Sequence, residues 1–138
     1  MTPEQLDMVE LSVEALGARL DQVAADFYRR LFDLDPSTRS LFESDPAAQQ
    51  EKFASELAFI VRSIRRHDRF VTVTHELGAR HAEYGVRAPH FRIGGVALLG
   101  ALEAALGDAW TPATGDAWRL AYRITAELML AAGNHPPT

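Results

Sequence analysis

The chain contains no cysteine. A disulfide framework or a thiolate metal site is therefore excluded, and a cytoplasmic setting is the default expectation. Positive charge is in short supply: 14 Lys and Arg stand against 19 Asp and Glu, a net charge of −5 with the histidines neutral. Such a balance does not attract polyanions, so no nucleic-acid partner is expected. Long apolar runs are missing as well. The longest, Gly94 to Ala105, is too short for a bilayer and is broken by Glu103, so no membrane association is expected. The opening MTPEQLDMVELSVEAL is acidic and amphipathic, unlike a signal peptide. Strand-like alternation is nearly absent. FVTVTH (Phe70 to His75) alternates, but LGARH continues it at helical spacing, so it reads as helix. There is no GxSxG, phosphate-binding loop, HxxxH or HExxH. Serine hydrolase, nucleotide triphosphatase and conventional zinc chemistries thereby lose their usual signatures.

What is present is a set of punctuated amphipathic helices. Hydrophobic residues make up 47% of the 138 positions, enough for one compact domain. Thr2-Pro3, Asp35-Pro36, Asp45-Pro46 and Thr111-Pro112 each place a good N-cap before a proline, which suits a first helical turn. Ala88-Pro89 opens a segment with a poorer cap. The spacing predicts helices over Pro3 to Leu16, Arg19 to Leu34, a very short one from Pro36 to Leu41, then a long one after Pro46. Further helices follow from Arg69 to Ala82, Pro89 to Leu106 and Pro112 to Ala132, with Gly107-Asp108 as a stop. The expectation is an all-α domain of about seven helices over residues 1–133, with residues 134–138 as a flexible tail.

Few residues on these helices invite chemistry. His81 shares the line Phe70, Val73, Leu77, His81, Tyr84, so it faces an apolar environment. A buried imidazole needs a partner for each nitrogen, or a metal, and spacing leaves both a satisfied core histidine and a ligand open. Tyr28 borders the apolar face Leu20, Val23, Phe27, Leu31, where its ring can be buried while its hydroxyl seeks a partner. If Phe53 points inward, Gln49 lies one turn earlier on the same side and offers an amide donor, with Gln50 as the adjacent alternative. Arg62, Arg65, Arg66 and Arg69 cluster at a helix end, where they suit the negative end of the dipole. Ala101, Leu102, Ala104 and Ala105 form a smooth face that would suit either core packing or a homodimer.

Taken in order, these residues resemble the bacterial single-domain globins and the globin half of flavohaemoglobins, from Leu6 to about Leu130. FYRRLFDLDPSTRSLF (Phe27 to Phe42) is similar to the family's second and third helices, with Tyr28 as distal tyrosine and Phe42 against the haem. QQEKF (Gln49 to Phe53) is similar to the start of the distal helix, with Gln49 as distal glutamine. LGARHAEYGVRAPHF (Leu77 to Phe91) is similar to the proximal helix and corner, with His81 as iron ligand; Trp118 and Tyr122 fit the last helix. The resemblance implies a pocket for haem b between the distal and proximal helices. Phe42, Phe53, Leu57, Leu77, Val86, Phe91 and Val96 suit its lining, and Lys52, Arg80, Arg87 and His90 suit the propionates. It implies reversible binding of oxygen, and of NO or CO, in a carrier, store or gas sensor. The alternative is a nitric oxide dioxygenase or weak peroxidase. The chain stops where a flavin reductase domain would begin, so turnover implies a separate reductase. One departure stands out. Where flavohaemoglobins place a tyrosine and a glutamate behind the proximal histidine, this chain has Phe91 and about Gly133.

Overall fold

The structure is a computed structural model and describes residues 1–42 and 45–133. Six α-helices carry it: α1 (Pro3–Leu16), α2 (Leu20–Leu34), α3 (Pro46–Ser63), α4 (His67–Glu83), α5 (Ala88–Leu106) and α6 (Pro112–Gly133). The seventh expected element, Pro36–Leu41, is a 3-10 helix, and shorter 3-10 turns follow α1 and α5. The alternating segment 70–75 lies inside α4, as its continuation at helical spacing required. The expected tail, residues 134–138, lies outside the described residues.

The punctuation works as side-chain chemistry predicts. Thr2 and Gln5 form a reciprocal capping box at 3.1 and 2.8 Å. Asp35 accepts from the Ser37 N–H at 3.1 Å, Asp45 from the Ala48 N–H at 3.2 Å, and Thr111 from the Thr114 N–H at 3.1 Å. The poorer cap before α5 is repaired differently: the Arg87 N–H donates to His90 Nδ1 at 2.8 Å. Gly17 and Gly107 take φ of 51° and 54° where α1 and α5 end, conformations that other residues adopt only with strain.

The helices enclose a core of Val9, Leu16, Val23, Leu31, Leu102, Ala117 and Trp118. Two expectations change here. Ala101 and Leu102 are spent on that core, which leaves Ala104 exposed and Ala105 half-buried on the face that would suit either core packing or a homodimer. The arginine cluster does more than answer a dipole: Arg65 bridges Asp7 and Glu10 on α1, and Arg69 stacks over Phe59 at 5.5 Å. No helix among the described residues is long and apolar enough to cross a membrane.

α4 and α6 cross in direct contact. A Cβ at Gly78 would stand 2.4 Å from the Met129 Cα, so the two backbones touch there. Gly133 repeats this one turn on, where an added Cβ would meet the Ala82 Cβ at 3.0 Å.

Candidate functional site

A cavity of about 600 Å³ opens between α3 and α4 and is closed from behind by α2, α5 and α6. That volume is within the range of cofactor sites. Every proposed site residue except Val96 and Arg87 lines it: Tyr28, Phe42, Gln49, Lys52, Phe53, Leu57, Leu77, Arg80, His81, Val86, His90 and Phe91. Val96 is 62% exposed and must be withdrawn as a lining residue. Gly94 and Leu98 turn toward the cavity, and two steps of about 100° carry Val96 round to the outer face of α5. Apolar character alone could not reveal that, since surfaces hold many apolar residues.

One wall is aromatic. Tyr28 is buried, and its ring meets Phe27 at 5.0 Å, Phe42 at 5.1 Å and Phe53 at 5.7 Å. Phe27 and Phe53 stack at 4.4 Å, locking α2 to α3. The amphipathic pattern of α2 turns Tyr28 inward, and the Asp45 cap fixes the first turn of α3, which carries Gln49. Gln49, not Gln50, faces the cavity, and its Nε2 donates to Tyr28 Oη at 3.4 Å. The phenol oxygen thus accepts, and its own proton remains available to point into the cavity. Burial pushes the Tyr28 pKa up to about 12, with the Gln49 bond opposing, so at neutral pH the hydroxyl is a donor.

The opposite wall is α4. His81 Nδ1–H donates to the Leu77 carbonyl one turn back at 2.8 Å. A carbonyl can only accept, so the proton sits on Nδ1 and Nε2 keeps its lone pair. Desolvation lowers the His81 pKa, opposed by the Leu77 bond and by Glu56. The imidazole is therefore neutral, in the state a metal requires. Phe91 stands beside it, ring to ring at 6.2 Å. The Phe91 carbonyl accepts from Tyr122 Oη at 2.6 Å, and Gly94 and Gly95 make room for that tyrosine.

The mouth is charged. Lys52 and Arg80 line it, Arg80 lies 3.8 Å from Glu56, and His90 is tied through Nδ1 to the start of α5. Arg87 is exposed and lies outside the lining. Glu56 was missed by sequence reasoning. Its position seven residues after Gln49 puts it on the same helix face, a signal that its charge obscured. Ile60, Ile64, Trp118, Thr125 and Met129 also line the cavity and were not anticipated there, because helical spacing gives a face but not which cavity it meets.

Comparison with known proteins gives a consistent picture. The chain is 34% identical over 135 residues to a flavohemoprotein of Deinococcus radiodurans, covering 94% of this chain and 33% of that protein. It thus spans about a third of the flavohemoproteins it matches. A leghemoglobin of Canavalia lineata is 28% identical over 142 residues, with 95% of both chains covered. Among solved structures, one neighbour is a carbene transferase engineered from a Rhodothermus marinus protein described as a nitric oxide dioxygenase. It superposes with a TM-score of 0.84 at 33% identity, covering 95% of this chain and 92% of that one. A bacterial globin from Campylobacter jejuni superposes with a TM-score of 0.85 at 22% identity, covering 96% of each, and supports the fold. The globin family model matches residues 25–129. With its six α-helices, its cavity between α3 and α4 and this match, the chain belongs to the globin family.

Proposed function

We propose that the chain binds haem b through His81 and reversibly holds a diatomic gas, oxygen first, on the Tyr28 side of the cavity. One observation carries this reading. A neutral imidazole with its Nδ1 proton committed to Leu77 faces, across an apolar cavity, a buried hydroxyl whose oxygen is already satisfied by Gln49. The donor set fits the group: one imidazole nitrogen with a lone pair, aromatic walls, and Lys52 and Arg80 at the mouth for two carboxylates. Haem, when bound, would supply the iron that binds the gas, and His81 would be the residue that holds it. The chain's own residues do the rest. Leu77 orients the His81 ring, Phe42 and Phe53 exclude water, and Tyr28 donates a hydrogen bond to a ligand carrying partial negative charge.

Nitric oxide dioxygenation with a separate reductase is the second reading, favoured by the names of the flavohemoproteins and of the Rhodothermus marinus neighbour. The proximal side counts against it. Phe91 is apolar and Gly133 has no side chain, so neither offers the His81 Nδ1–H a carboxylate or hydroxyl. Absorption spectra of the purified protein with added haem, ferric, ferrous and under oxygen, test the first reading. A stable oxygenated spectrum that disappears in His81→Ala is expected; full haem retention by that variant would refute it. Rapid nitrate formation from nitric oxide with a supplied reductase would instead favour the second.

A further inference from the structure

α4 is held between two surfaces. Leu77 and His81 face the cavity, while Gly78 and Ala82 face α6. On that rear face the helices touch without side chains between them. A Cβ at Gly78 would stand 2.4 Å from both the Cα and the carbonyl oxygen of Met129, and backbone cannot yield as a flexible side chain can. At Gly133 an added Cβ would meet the Ala82 Cβ at 3.0 Å and approach the Gly78 carbonyl at 4.0 Å. Glycine in a helix interior is destabilising in itself, by about 0.5–1 kcal/mol relative to alanine. Gly78, buried inside α4, therefore calls for a packing reason, and Gly133 at the end of α6 faces the same seam.

The reason lies on the other side of α4. A methyl at Gly78 would press α4 off the α6 backbone, and one at Gly133 would press Ala82 by a few tenths of an ångström; the cavity on the far side of α4 gives it room to yield. His81 is three residues from Gly78 and adjacent to Ala82, so it moves with them. We propose that Gly78 and Gly133 are positioning residues for His81: by letting α4 recline on the backbone of α6 they set how far the imidazole reaches into the cavity and how wide the cavity stands. Any side chain at Gly133 would begin with a Cβ 3.0 Å from the Ala82 Cβ and so crowd the seam. The Nδ1–H is left with the Leu77 carbonyl, and the imidazole acts as a neutral ligand. This inference rests on the reading of His81 as the haem ligand.

The test uses the full chain loaded with haem. Gly133→Ala places one methyl in the seam, and Gly133→Ala with Ala82→Gly removes the methyl it meets. The readouts are the rate of haem transfer to an excess of a haem-scavenging apoprotein and the iron–histidine stretching band of the ferrous protein in resonance Raman. The single variant is expected to lose haem about tenfold faster, the scale found when a residue that orients a metal ligand is changed, and to shift the band. The double variant is expected to return both to the parent values. An unshifted band and unchanged transfer in Gly133→Ala would overturn the proposal, and so would a change that Ala82→Gly fails to reverse. Failure of His81 as ligand shows separately, as a parent protein without an iron–histidine band.

Discussion

Tyr28 shows how much a single hydrogen bond's direction matters. Because Gln49 donates to its oxygen, the phenol proton stays available for a ligand, and because the group is buried it stays protonated. A charge-assisted bond of this kind contributes about 1.5–3 kcal/mol, so Tyr28→Phe should speed oxygen release at least tenfold, read by stopped-flow displacement with carbon monoxide. An unchanged release rate would remove Tyr28 from the site. The raised pKa also has a consequence for stability. Below pH 10 the phenol is protonated in folded and unfolded chains alike, and the fold keeps its full stability. Between pH 10 and about 12 the unfolded chain releases the proton while the folded chain holds it, so stability falls as pH rises. Unfolding free energies from urea titrations across that window should decline more steeply in the parent than in Tyr28→Phe, by up to about 2–3 kcal/mol. At this scale the inward-facing positions of His81, Tyr28 and Gln49 were legible, because each sits in register with apolar neighbours on a helix. Val96 was misread because an apolar residue on α5 has two available sides, and Glu56 was passed over because a charge does not announce a cavity.

Helix ends were the most readable elements, since proline and its preceding cap act locally. Asp45 illustrates what a cap does for a site: it holds the first turn of α3, and the Gln49 N–H donates to its carbonyl at 3.0 Å. Asp45→Ala should cost about 1 kcal/mol of stability, measured by urea unfolding, and should speed oxygen release by loosening Gln49. A stability loss without any change in release would show that the glutamine is held by Tyr28 and not by the turn. The element Pro36–Leu41 was read correctly as short, but its 3-10 winding was not visible, because a single turn leaves no period to count. Nor was the α4–α6 seam visible. Gly78 announces that something approaches closely, yet the partner, Met129, lies far along the chain, and only the assembled fold brings them together.

The whole molecule is a cavity held open by its surroundings. Its fold class followed from seven punctuated amphipathic segments, and its family from three short stretches in the right order. The crossing geometry that makes these helices enclose about 600 Å³ instead of collapsing on it could not be read from the sequence, because it depends on which faces meet. This has a bearing on how the protein is made. A ribosome delivers His81, Tyr28 and Gln49 well before Pro112, so an emerging polypeptide owns every proposed contact to haem while the support behind α4 is still untranslated. Chains ending at Thr111 should be partly helical by circular dichroism yet melt without a cooperative transition and retain no haem on gel filtration. Pigment uptake would then be a late step of synthesis, gated by the arrival of the last helix and not by the appearance of the histidine.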